Sequence, residues 1–129
     1  MDRHANLRTT FPLIDGRPVQ VIASEQNILF AVRDLAETPP AGREERAYDY
    51  MLQEATRPFD LANGPLLRVF LFRIEPEDTL LFIVMHHIIS DAWSMGAFSR
   101  EIAAYYNAYQ SGEEAYLPAA VRLVDHALA

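Results

Sequence analysis

The chain has 129 residues, the size of one ordinary domain, and half of them are apolar, enough to bury a real core. It contains no cysteine, which excludes disulfides, thiolate catalysis and zinc–cysteine sites. A net charge of −7 argues against nucleic acid or an anionic membrane as partner, since both need a basic footprint. No apolar run reaches membrane-spanning length, and the opening Met1-Asp2-Arg3-His4 lacks the apolar core of a secretion signal, so a cytoplasmic domain is expected.

In chain order, residues 13–18 read as a turn between short extended pieces, and Val19-Gln20-Val21-Ile22 alternates as a strand does. Residues 27–35 predict a second strand. Thr38-Pro39-Pro40 resembles a helix start with Glu44 and Glu45 in the first turns, and the helix should run over 42–56 and stop before Pro58. Residues 58–65 form a loop dense in turn formers. Residues 66–74 and 79–88 predict two apolar strands joined by a hairpin turn. Residues 80–85 show no polar alternation, which predicts a strand buried on both faces in the middle of a sheet. Met95, Phe98, Ile102, Tyr105, Tyr106 and Tyr109 recur at helical spacing and predict a core-facing stripe that ends at Ser111-Gly112. Glu113-Glu114 reads as a solvated loop, and residues 121–129 as another helix. The order β-β-α-β-β-α-α predicts an α/β sandwich with helices packed on a sheet.

The chemistry-bearing stretch is His86-His87-Ile88-Ile89-Ser90-Asp91-Ala92-Trp93-Ser94, where the apolar strand ends and the amphipathic helix begins. Histidine titrates nearest neutrality of all side chains. A strand-to-helix junction offers N–H groups and the positive end of a helix dipole to developing negative charge. Adjacent strand residues point to opposite faces, so His86 and His87 do not converge on one metal ion, and no H-E-x-x-H spacing is present. G-x-S-x-G is absent too, which leaves Ser90 and Ser94 as cap or turn residues. What remains is general-base or positioning catalysis by one histidine. Spacing alone leaves equally open a packed histidine satisfied by backbone and an Asp91 that merely caps the helix.

That stretch resembles the H-H-x-x-x-D-G signature of condensation domains from nonribosomal peptide synthetases. Arg3-His4-Ala5-Asn6-Leu7-Arg8-Thr9-Thr10-Phe11 is similar to the family's upstream R-H-E-x-L-R-T-x-F. Pro58-Phe59-Asp60-Leu61 with Gly64-Pro65-Leu66-Leu67-Arg68 is similar to P-F-D-L-x-x-G-P-L-L-R. Ser99-Arg100-Glu101-Ile102 and residues 105–109 fit the helix that follows the signature, and residues 121–127 resemble a degenerate V-Q-Y-A-D-Y-A. Ala5 stands where the family has glutamate, and Ala92 where it has glycine.

The resemblance implies a fold of two chloramphenicol-acetyltransferase-like lobes around a tunnel, of which residues 1–129 match most of the first. The expectation is a partial condensation domain, a two-layer α/β sandwich lacking its first helix and its C-terminal lobe. The implied activity is acyl transfer, forming an amide between a donor acyl or peptidyl thioester and an acceptor aminoacyl thioester. Both would arrive on phosphopantetheine arms of peptidyl carrier proteins, with no cofactor bound directly and no metal. Further implied partners are the second lobe and adjacent synthetase domains. His87 is then the catalytic residue, as base or amine-positioning group, and His86 is structural. Asp91 holds the loop by pairing with an arginine, for which Arg3 and Arg8 are the candidates in this chain and the missing lobe is the other source. Ala92, Trp93, Ser94 and Gly96 line the tunnel and present backbone N–H groups. The rivals are an epimerization domain or stand-alone acyltransferase of the same superfamily, and a truncated lobe without activity. A single lobe is expected to be catalytically silent and, with its lobe-facing surface open, to self-associate.

Overall fold

The computed structural model describes residues 3–25 and 28–118, apart from the side chains of Ala92 and Trp93. The helix expected over 121–129 lies outside the described residues.

Four two-residue strands come first. β1 (Thr9–Thr10) pairs antiparallel with β4 (Val21–Ile22), and between them β2 (Leu13–Ile14) and β3 (Arg17–Pro18) close a small hairpin. Asp15 and Gly16 both have positive φ, at 50° and 73°, as a two-residue hairpin loop matched to strand twist requires. The stretch that reads as one turn and one strand is therefore two short ladders. β5 (Leu29–Asp34) then runs parallel to β6 (Leu67–Glu75), with α1 (Arg43–Thr56) in the crossover, and β7 (Asp78–Met85) returns antiparallel to β6.

The central strand is β6, not residues 80–85 as expected. β7 is an edge of the β5-β6-β7 sheet, its first four residues exposed and its last four half-buried. An unbroken apolar run reports covered faces but says nothing of neighbours along the hydrogen-bonding direction, and Leu80 and Leu81 stay 39% and 43% exposed. β6 carries the buried run, with Phe72 fully inaccessible.

Cross-strand register sorts the side chains by face. Ala31, Phe70 and Phe82 stand opposite one another and meet Ala47, Tyr50 and Met51 of α1. Val69 with Ile83 and Leu67 with Met85 look the other way, toward Leu7, Phe11, Ile89 and Phe98. Two arginines fasten α1 to β6. Arg43 at its start donates to the carbonyls of Ala36, Thr38 and Ile74 and to Glu75. Arg68, at 4% exposure, donates to the carbonyls of Glu54, Arg57 and Pro58, where α1 has run out of N–H partners.

α2 (Ala92–Ser111) ends as predicted on a left-handed Gly112, whose N–H bonds the carbonyls of Ala108 and Tyr109. Its expected core stripe holds only in part. Met95, Phe98 and Ile102 are half-buried, while Tyr105, Tyr106 and Tyr109 are exposed. Helical spacing defines a stripe, but the sheet beneath it reaches only the first half of the helix. Among the described residues no helix is long and apolar enough to cross a membrane.

Candidate active site

β7 delivers the histidine pair to the end of the sheet. Neither histidine lies on the strand, so the expectation that they occupy opposite strand faces is corrected. His86 leaves β7 in extended conformation, its N–H bonded to the Leu66 carbonyl at 3.0 Å, and His87–Ile89 form a single 3-10 turn before α2. The His86 side chain caps that turn: Nδ1 accepts the Ile88 N–H at 3.0 Å, which leaves the proton of the neutral ring on Nε2. The same ring meets Phe59 edge-on at 5.7 Å, and the Arg68 guanidinium lies 3.9 Å from the Phe59 centroid. Guanidinium, phenyl and imidazole thus form one packed column. His87 is turned outward and exposed, and among the described residues nothing hydrogen-bonds its imidazole.

Asp91 is the N-cap of α2. Its Oδ1 accepts the Ser94 N–H at 2.7 Å and the Ser94 hydroxyl at 2.6 Å. The Ser94 hydroxyl, then the Ser94 N–H, hold its carboxyl below the usual carboxylate value, with a smaller contribution from positive charge on His87. The arginine partners expected for Asp91 are elsewhere. Arg3 pairs with Glu101 at 3.1 Å, and Arg8 donates to the carbonyls of Ala23 and Ser24. Among the described residues the adjacent Ser94 is what holds the carboxylate.

The N–H groups expected from Ala92, Trp93, Ser94 and Gly96 separate into two sets. Ser94 gives its N–H to Asp91, and Gly96 lies four residues into the helix, where its N–H belongs to the helical ladder. Ala92 and Trp93, in the first turn, keep N–H groups without an intrahelical acceptor. Ala92 is helical, and Asp15 is the only non-glycine with positive φ among the described residues, so alanine is unstrained where the family has glycine. Beside the loop runs a cleft of about 410 Å³ lined by Ala55, Phe82, Ile83, Val84, Met85 and Met95, with His87, Ser90 and Asp91 supplying its polar wall. Apolar walls meeting one exposed imidazole and a helix start can take an uncharged chain and present its carbonyl to a proton carrier. Among the described residues no three His, Asp or Glu side chains gather as a metal site.

The family model of the condensation domain matches residues 1–128. The chain belongs to the condensation-domain family. A linear gramicidin synthase of Brevibacillus parabrevis is 40% identical over 126 residues, which are 97% of this chain and 2% of that protein. Among solved structures, the starter condensation domain of rhizomide synthetase superposes with a TM-score of 0.82 at 22% identity, over 95% of this chain and 29% of that one. The epimerization domain from the third module of tyrocidine synthetase B does so with a TM-score of 0.82 at 23% identity, over 97% and 28%. The chain therefore spans less than a third of the solved neighbours and a small fraction of the synthetase. The α/β sandwich expected of a chloramphenicol-acetyltransferase-like lobe is the fold these neighbours share.

Within this condensation-domain segment, residues unremarked as chemistry in the sequence turn out to build the site. Phe59 and Arg68 sit inside the P-F-D-L-x-x-G-P-L-L-R match, and a lone cation inside an apolar strand was the signal that Arg68 is satisfied internally. Ala55 and Met95 line the cleft from two different helices, and no local pattern announces that meeting.

Proposed function

We propose that this lobe carries the proton-handling side of amide-bond formation, joining a carrier-bound acyl or peptidyl thioester to the amine of a carrier-bound aminoacyl thioester. The observation that carries the proposal is the division of labour between the histidines: His86 is spent on Ile88 and Phe59, while His87 stands exposed at the polar wall of an apolar cleft. In the proposed step the acceptor amine attacks the donor carbonyl and forms the C–N bond. His87 takes the amine proton or holds the amine for attack, the C–S bond breaks, and the thiol leaves protonated. The N–H groups at the start of α2 are suited to the negative charge on the carbonyl oxygen. The thiols are those of phosphopantetheine arms on peptidyl carrier proteins, which enter as substrates. A second lobe and neighbouring synthetase domains complete the tunnel, and the compartment is the cytoplasm.

The test uses a condensation domain in which this lobe is joined to a second one, mixed with loaded donor and acceptor carriers and followed by mass spectrometry. His87→Ala should lower the rate of dipeptidyl-carrier formation by ~10²–10⁴-fold with an unchanged melting temperature, while His86→Ala should act through folding. Near-normal turnover by a well-folded His87→Ala protein removes its role. Inversion of the donor α-carbon without amide formation would instead favour an epimerase.

A further inference from the structure

The cleft beside His87 has a main-chain wall. Four consecutive residues of β7, Phe82 to Met85, line it. Side chains alternate between the two faces of a strand, so a cleft that touches all four looks onto the strand's edge. The pairing with β6 sets which backbone groups face that edge. The His86 N–H bonds the Leu66 carbonyl at 3.0 Å, one step beyond the register Leu67↔Met85, and antiparallel bonding takes every second residue. His86, Val84 and Phe82 therefore turn their N–H and C=O groups to β6, while Met85 and Ile83 turn theirs outward. Among the described residues no strand pairs with that edge, and no charge or proline guards it from Leu80 to Met85.

An unpaired strand edge inside an apolar cleft is complementary to an extended chain of amides. The four lining residues span ~13 Å at ~3.3 Å each, the length of a short extended peptide. β7 runs toward His87, and the thioester end of a donor must lie at His87, so a donor peptide lies parallel to β7. In a parallel ladder a residue bonds the two neighbours of the one it faces. A donor residue facing Val84 thus donates its N–H to the Ile83 carbonyl and accepts the Met85 N–H on its own carbonyl. The next residue, which carries the thioester, sits ~3.3 Å further on, level with the histidine turn. Side chains then sort by face: the first joins Val84 beside Ala55 of α1, and the second joins Met85 beside Met95 of α2.

We infer that β7 takes the donor as an added strand, with the residue before the thioester held by the Ile83 carbonyl and the Met85 N–H. The inference rests on the donor reading given above and names its substrate class: a peptidyl chain with apolar side chains at its last two positions. A single aminoacyl group has no preceding residue to offer these two β7 groups. The pantetheine arm is no substitute, because the β-alanine between its amides carries one methylene more than the strand repeat.

The test uses the full chain and acetyl-Val-Leu joined through an amide to aminopantetheine, a probe that cannot turn over. At saturation the Met85 amide should exchange hydrogen at least tenfold more slowly, while the Val84 amide, already bonded to Arg68, should not change. A probe in which an ester oxygen replaces the valine N–H should bind about fivefold more weakly or worse, as loss of one hydrogen bond requires. Equal affinity of the ester probe overturns the inference, as does absence of binding at millimolar probe. Protection of Met85 by aminopantetheine alone would make the arm the occupant, and protection without probe that grows with protein concentration would make it a second copy; either result overturns the inference. His87→Ala should keep the Met85 protection, so the strand-like docking and the proton-handling role fail separately.

Discussion

Arg68 offers the sharpest test of how the lobe holds its active-site loop. Its side chain is 5% exposed; Nη1 donates to the Glu54 carbonyl at 3.1 Å and the Arg57 carbonyl at 2.9 Å, and Nη2 donates to Pro58. Burial lowers the guanidinium pKa, repulsion from Arg57 adds to this, and Glu54 opposes it, yet the group stays charged. Arg68→Met keeps the aliphatic volume and deletes the fork. Three charge-assisted bonds at ~1.5 kcal/mol each set a gross loss of ~4–5 kcal/mol. Relief of the desolvated cation, and water reaching the end of α1, return part of it, so a net loss of about 2–4 kcal/mol is expected. That is a large fraction of an ordinary domain's ~5–15 kcal/mol. Urea unfolding should show the loss as a lower midpoint at unchanged slope. The second consequence is local: Phe59 loses its cation, so the His86 ring loses a fixed wall and the Ile88 amide should exchange faster. Arg68→Lys should recover little, because one ammonium cannot span three carbonyls in the geometry of a fork. A loss under 1 kcal/mol for Arg68→Met, or full rescue by lysine, would refute this account of the column.

Three further outcomes follow from the same geometry. Asp91 has its carboxyl pKa lowered in the folded state, so its cap contributes stability above the usual carboxylate range and loses it as pH falls through the lowered value; the Ser94 amide shift should titrate in that acid window and go flat in Asp91→Asn. If Ser94 titrates in the asparagine variant too, another group controls the cap. Ala92→Gly should destabilise the chain by up to about 1 kcal/mol, since the position is helical and needs no left-handed freedom; a gain in melting temperature would contradict this. Phe30, Val32 and Leu81 leave an apolar patch on the sheet face opposite α1, so the chain should self-associate in light scattering, and Val32→Lys with Leu81→Lys should shift it toward monomer. Unchanged association in the double variant would place the contact elsewhere.

Local chemistry made much of this protein legible without coordinates. The helix over residues 43–56, the Gly112 stop, the apolar strands around residues 67–85 and the family motifs depend on near neighbours: turn formers, caps and short-period apolar patterns. The motifs named the histidine loop for the same reason, because its signature is contiguous. Three matters needed the folded chain. Which apolar strand is central depends on hydrogen bonding between segments far apart, and an apolar run is silent about its edges, so β6 took the place expected of β7. Which histidine is spent and which is exposed was decided by a 3-10 turn and by Phe59, which comes from 27 residues upstream to meet His86 and carries Arg68 packed on its ring. Among the described residues Asp91 is held by the adjacent Ser94, while Arg3 and Arg8 bond to Glu101 and to backbone carbonyls, pairings that no local pattern announces. The sequence by itself determined the pieces and the family. The pairing of β6 with both neighbours, and the packing of one side chain against another, decided which of those pieces meet at the cleft.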